Sequence, residues 1–276
     1  MTMAPQDIFP HLAGWVANLD DVFPGKQVKP YFAHWEVGHI LSLIVLGGSS
    51  ILLNLRLMGV GLTDEPSREL HRNLGRWVWI GAVSIVVTGL LIGSSNAERL
   101  YTSEAFTAKM IGLAAALILT FGVTLPTARA DGVMSVQSRL AAIAGLTVFG
   151  LALWVFLSAK LANPGLWHVI TAGALIALYA TRGWIRLAYG ALLAVLIIAQ
   201  QYVTHVVYKF DDYASLDPTN KAFAWAFVVL ILGTLTVQAV TSGRTQKDGA
   251  FVRLMALAAI LVWVMTAAAG RWLAFA

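Results

Sequence analysis

Six histidines stand in a chain of 276 residues that has no cysteine, and three of them lie inside long apolar stretches. An ionisable side chain in such a place is expensive, so it starts as a functional candidate. The nearest arginine in each stretch serves as a ruler at about 1.5 Å of rise per residue. His39 lies 17 residues from Arg56, His168 lies 14 from Arg182, and His205 lies 19 from Arg186. The corresponding heights are about 25, 21 and 28 Å, so three imidazoles from three helices share one level. Neutral imidazole is a ligand for haem iron and for copper, zinc or iron ions. Two histidines at one level on facing helices would clamp a b-type haem edge-on in a helical bundle.

The surroundings suit that chemistry. Ala172, Gly173, Ala174, Ala194 and Ala199 leave room for a flat macrocycle. Lys109, with Arg99, Lys160 and Lys209, supplies cations at the same boundary for propionates. Two alternatives stay open. His39, His168 and His205 would form a tris-imidazole site for a bare metal ion, copper among them, with His34 or Glu36 adding to the shell. Or they hydrogen-bond backbone carbonyls and each other as packing groups. His11 and His34 precede the apolar core, and His71 lies in an Arg-rich stretch where a solvated histidine is expected.

The elements that must hold these groups follow from composition. Hydrophobic residues make up 58% of the chain and charged residues 12%, about half the charged share of a soluble domain. The mean hydropathy is +0.74. Most of the surface therefore faces lipid. The net charge is +5, but the basic residues are scattered singly, which excludes the cationic stripe of a nucleic-acid binder. Stretches free of Asp, Glu, Lys and Arg at 37–55, 77–97, 110–128, 140–159, 161–181, 187–208, 222–243 and 254–270 each approach the length of a bilayer crossing. No period-two alternation interrupts them. The expected fold is all-α, a bundle of about eight transmembrane helices over residues 31–276, the first half spanning 31–130 and the second 138–276, with spans five and six as a tight hairpin.

Eleven basic residues fall on one side of the bundle, from Arg56, Arg68, Arg72 and Arg76 through to Arg253, and the remaining eight on the other. The richer side is expected to be cytoplasmic. That places both termini in the periplasm of a bacterial inner membrane. Residues 1–30 form a separate segment in which Ile8, Leu12, Trp15, Val16 and Leu19 share a helical face. It is expected to be a short interfacial helix or a cap over the bundle. Gly89 with Gly93, and Gly145 with Ala141, offer small faces for close helix packing.

Within the first four spans, His39, Asn54-Leu55-Arg56-Leu57-Met58-Gly59, Arg76-Trp77-Val78-Trp79, Thr88-Gly89 and Tyr101 through Ala105-Phe106-Thr107-Ala108-Lys109 make a pattern. Over residues 35–130 it resembles an uncharacterised group of bacterial membrane proteins near the CopD-like copper-resistance proteins and b561-like cytochromes. The usual form of the first motif there is Asp-Leu-Arg-Leu-Leu-Gly, and Asn54 replaces the acid. The resemblance implies copper handling or haem-mediated electron transfer.

The leading expectation is a membrane b-type cytochrome holding one haem b and passing electrons between quinone and a periplasmic partner, either alone or as a subunit of a larger complex of membrane subunits. His39, His168 and His205 would be its ligands and Lys109 a cofactor contact. The alternatives are a copper- or metal-handling transporter and a non-catalytic membrane anchor. Against transport, the spans lack an intramembrane acid, and Asn54, Gln200 and Gln201 are the nearest polar groups. No Ser/His/Asp arrangement, phosphate loop or HExxH motif marks a hydrolase.

Overall fold

Lipid offers the backbone no hydrogen-bond partner, so an apolar stretch of membrane length closes its bonds internally as a helix. In a computed structural model of the chain, which describes residues 3–158, 162–207, 213–241 and 249–273, this is the only regular structure. Eight long helices occur among the described residues: α1 (Phe32–Leu57), α2 (Ser67–Ser94), α3 (Glu104–Leu119), α4 (Val136–Ser158), α5 (Ala162–Ala180), α6 (Gly183–Tyr202), α7 (Tyr213–Thr241) and α8 (Gly249–Trp272). Seven of the described helices are long and apolar enough to cross a membrane, and α5 contributes the shorter apolar stretch Ile170–Ala180. The outer surface is apolar, with Leu187 76% exposed and Leu90 70%. Such a surface is stable only against lipid. The protein is a multi-pass helical membrane bundle.

Turn chemistry ends the helices. After α1, Gly59 and Gly61 take φ of 72° and 66°, a conformation that costs glycine nothing. Gly183, at φ 58°, reverses the chain between α5 and α6. Tyr189 Oη then donates to the carbonyl of Ala174 at 3.2 Å and ties the hairpin. Helix α3 does not stop at Leu119. It passes through a π-helical turn, Thr120–Thr124, into Leu125–Arg129. Pro126 explains the widening, since it has no N–H for the carbonyl of Gly122 and its ring crowds that carbonyl. A π turn just before the proline relieves the clash.

Helix α8 is the most enclosed and α6 the least. Helix α8 packs against α1, α3, α4, α5 and α7, while α6 leans on α7 and touches α5. Small residues set the close approaches, as expected where lipid removes the hydrophobic drive between helices. A methyl group at Gly81 of α2 would lie 2.6 Å from the backbone nitrogen of Leu46 in α1. One at Gly145 of α4 would lie 2.6 Å from Leu119, and one at Gly122 would lie 2.6 Å from Ala141. Gly89 meets the His39 ring.

The N-terminal segment is a succession of short helical turns, Pro5–Ile8, Pro10–Leu12, Ala13–Val16 and Gly25–Val28. The last of these runs through Lys29–Tyr31 into α1. It caps one end of the bundle: Tyr101 Oη donates to the carbonyl of Phe9 at 2.6 Å, and Gly25 abuts the carbonyl of Ser94. Trp15 and Phe23 remain exposed on it. The opposite end gathers Arg56, Arg129, Arg182, Arg186 and Arg253 at the termini of α1, α3, α5, α6 and α8.

Candidate functional site

Polar residues are rare in this core, so their positions matter. On α1, Ser42, Ser49, Ser50 and Asn54 are buried, with Ser50 and Asn54 completely enclosed. On the run from Glu104 to Arg129, Lys109, Gly112, Ala116, Thr120, Thr124 and Thr127 recur at steps of three or four, the spacing of one helical face. Helix α8 runs antiparallel along that face. Gly270 meets the Lys109 stem, whose Cε lies 3.5 Å from a methyl placed there, and Gly112 meets Met265 and Thr266.

Where the three helices meet, five side chains form a buried network. Thr124 Oγ1 donates to Asn54 Oδ1 at 2.9 Å. Asn54 Nδ2 donates to the Ser50 carbonyl at 2.8 Å and faces Ser50 Oγ at 3.3 Å. Ser50 Oγ and Thr120 Oγ1 are 3.2 Å apart. The Trp263 indole N–H points at both, 3.2 Å from Ser50 and 3.1 Å from Thr120. Other tryptophans, such as Trp79 and Trp184, lie on the lipid-facing surface, whereas Trp263 is 2% exposed. Its indole nitrogen needs a partner when buried, and the hydroxyls provide it. Two of the hydroxyls, Thr120 and Thr124, bracket the π turn, a feature that recurs at functional positions.

The seam continues in both directions. Toward the Arg-rich end, Thr127 Oγ1 and His71 Nδ1 are buried and have no hydrogen-bond partner among the described residues. They belong to elements that pack together, Leu125–Arg129 and α2. In the same region Asp131 accepts from Ser67 Oγ at 3.3 Å and from the Arg68 backbone at 3.0 Å. Toward the other end, His39 Nδ1 lies 2.9 Å from Thr88 Oγ1 of α2. The α1–α3–α8 seam is thus lined with neutral oxygens and carries Lys109 toward one end, while His39 and His71 lie at the contacts of α2 with α1 and with Leu125–Arg129. Hydroxyl, amide and carbonyl oxygens suit hard divalent cations. No group of three His, Asp or Glu side chains able to hold a metal ion occurs among the described residues.

His39 and His205, two of the histidines singled out from sequence, lie on helices with different packing neighbours. His39 packs on α2. His205 lies exposed on the π turn Val203–Val207 that ends α6, with Nδ1 3.0 Å from the Gln201 carbonyl. Helix α1 packs on α2 and α8, whereas α6 packs on α7 and α5. His168 is on α5, and its side chain lies outside the described residues, as do Lys160 and Lys209. The network residues Ser50, Thr120, Thr124 and Trp263 were not singled out from sequence. Their signal was available: Ser50 with Asn54 on the first span, and Thr120 with Thr124 on the third, are two polar i, i+4 pairs.

Comparison with known proteins gives two matches. The model for the "Family of unknown function (DUF6644)" matches residues 25–168. A protein of Neisseria gonorrhoeae named "Putative manganese efflux pump MntP" is 27% identical over 154 residues, covering 55% of this chain and 73% of that protein. No solved structure matches. A multi-pass membrane family is borne out, in a region that includes the 35–130 motifs, while a likeness to CopD-like or b561-like proteins is not among the findings. The match to a protein named for metal efflux overturns the expectation of a haem b electron-transfer protein and favours the transport alternative.

Proposed function

Taking as premise that the chain belongs to the DUF6644 family, which matches just over half of it, we propose that it is a metal-cation efflux protein. The observation that carries this reading is the 27% identity to the protein named as a manganese pump. The substrate is a hard divalent cation of the manganese type, and the route is the seam between α1, α3 and α8. Thr127 and His71 stand at its Arg-rich entrance, where their unpartnered donor atoms are available to replace water on an incoming ion. Asn54, Thr124, Ser50 and Thr120 offer oxygens in the middle. His39 and Lys109 form the far end. Neutral oxygens hold a cation weakly, which favours passage over storage. The π turn supports this role, because its widened register loosens local backbone bonding beside Thr120 and Thr124.

The protein resides in the bacterial inner membrane with both termini periplasmic. The clustering of arginines at one end supports this orientation. Efflux then runs from the Arg-rich face, past Asn54, to the face covered by the N-terminal turns.

The test is cellular manganese content. A manganese-sensitive bacterium lacking its own exporter is grown in excess manganese with and without the chain, and metal is measured by mass spectrometry. Lower manganese and restored growth are expected from the wild type, and much less from Asn54→Leu. Equal manganese with and without correctly inserted protein would overturn the proposal.

A further inference from the structure

The Arg-rich end holds a second feature that the seam does not use. A cavity of about 530 Å³ opens among the end of α1, the α5–α6 turn, the end of α7 and the start of α8. Arg182, Arg186 and Arg253 line it, and among the described residues no acidic side chain does. Arg186 is anchored: Nε donates to the Thr181 carbonyl at 2.7 Å and an Nη to the Tyr179 carbonyl at 3.0 Å. The Arg182 backbone is fixed by Gln238 Oε1 at 2.9 Å. The side chains of Arg182 and Arg253 have no hydrogen bond or ion pair among the described residues. Three like charges around one cavity repel unless an anion sits between them. Both α6 and α8 begin here, so two helix N-termini add positive potential in the same direction.

The remaining lining shows what kind of anion fits. Leu235, Leu254 and Leu257 form an apolar wall beside the arginines, and the adjoining helix α6 is the one least covered by protein. The cavity is larger than one oxyanion requires. We propose that it binds a phosphate ester, the guanidiniums holding the phosphoryl oxygens while the apolar wall takes the attached carbon skeleton. Guanidinium matches phosphate through paired, charge-assisted hydrogen bonds. The phosphate has two sources, an anionic phospholipid entering from the membrane or a water-soluble phosphate entering from the aqueous face.

The full chain in detergent, stripped of lipid, is titrated with short-chain phosphatidylglycerol and with phosphatidylcholine, with bound lipid counted by native mass spectrometry. Inorganic phosphate is measured by equilibrium dialysis and as a competitor. We expect one saturable phosphatidylglycerol per chain and phosphatidylcholine at least about tenfold weaker. Arg182→Gln and Arg253→Gln should each weaken binding several-fold, roughly tenfold together. Arg139→Gln, at the same end but outside the cavity, should bind as wild type does. Competition by inorganic phosphate would support the soluble source, and its failure would support the lipid. If neither phosphatidylglycerol nor phosphate binds the wild type saturably, the proposal is overturned. Unchanged binding by the Arg182 and Arg253 variants would overturn it equally. Arg182→Lys and Arg253→Lys, which keep the charge but lose the paired fork, should bind more weakly than the wild type and more tightly than the glutamine variants; lysine variants no better than glutamine ones in a natively melting protein would overturn the charge-based part of the proposal.

Discussion

Replacing Asn54 by leucine separates packing from transport within the seam. The substitution keeps the branched shape and heavy-atom count, with somewhat more bulk, but removes the acceptor for Thr124 Oγ1 at 2.9 Å and the donor to the Ser50 carbonyl at 2.8 Å. The Thr124 bond joins α3 to α1, whereas the Ser50 bond closes within α1. Interhelical hydrogen bonds in membrane proteins average about 0.6 kcal/mol and reach about 1.7. With the intrahelical bond added, Asn54→Leu should lower stability by about 1–2 kcal/mol, a five- to thirtyfold change in the unfolding equilibrium. Reversible denaturation in mixed micelles measures this. The bundle should survive, because Leu46, Leu53 and Val78 still fill the neighbouring core. Transport should fall further than stability does, by at least about tenfold, because the middle of the proposed route loses the Asn54 amide oxygen, a ligand of the kind hard cations take. Thr124→Val should behave alike, and the double variant should lose less than the sum of the two. Wild-type manganese flux in a folded Asn54→Leu protein would refute the assignment and leave the network as packing alone.

His39→Ala should reduce manganese export strongly, whereas His205→Ala, altering an exposed residue on α6, should leave it unchanged in the same accumulation assay. Gly81→Leu forces a side chain against the Leu46 backbone, and overpacking of this kind costs about 1–3 kcal/mol. Its melting temperature in detergent should fall, while Gly150→Leu, where nothing lies near the added carbon, should melt as the wild type does. The Lys29 ammonium beside Asp20 holds that carboxyl below its usual range. A depressed folded-state value stabilises above the ordinary range and is lost as pH falls through it. NMR titration of the Asp20 carboxyl should therefore show a lower midpoint in the wild type than in Lys29→Gln. Reporter fusions should be active in the periplasm when placed after residue 96 and in the cytoplasm when placed after residue 132.

The eight helices were legible because lipid imposes one rule on each: no charge for about twenty residues. The boundaries were less so. Helix α7 begins at Tyr213, nine residues before the charge-free stretch, because helix formation does not end where apolarity does. The histidine levels illustrate a second limit. An arginine ruler gives height along the membrane normal but not position around the bundle. The ruler gives His39 and His205 similar heights, yet their helices pack on different neighbours. The seam escaped notice for a third reason. Serine and threonine hydroxyls readily bond back to a carbonyl of their own helix, as Ser42, Thr181 and Thr266 do, so single residues carry little signal. Only the pairing of Ser50 and Asn54 on one span with Thr120 and Thr124 on another marks a shared interface. Trp263 closes the network from 213 residues away, a contact that depends on α8 lying at the centre.

The central claim is that the chain moves a divalent metal cation along the α1–α3–α8 seam. Its most direct test is manganese flux into or out of proteoliposomes containing only the purified chain, followed with an entrapped metal-sensitive dye. Saturable flux above empty liposomes, lost in Asn54→Leu and retained in Gln201→Ala, is the predicted result. Flux equal to that of empty liposomes under pH and voltage gradients of either sign, from protein shown to be folded, would contradict the account.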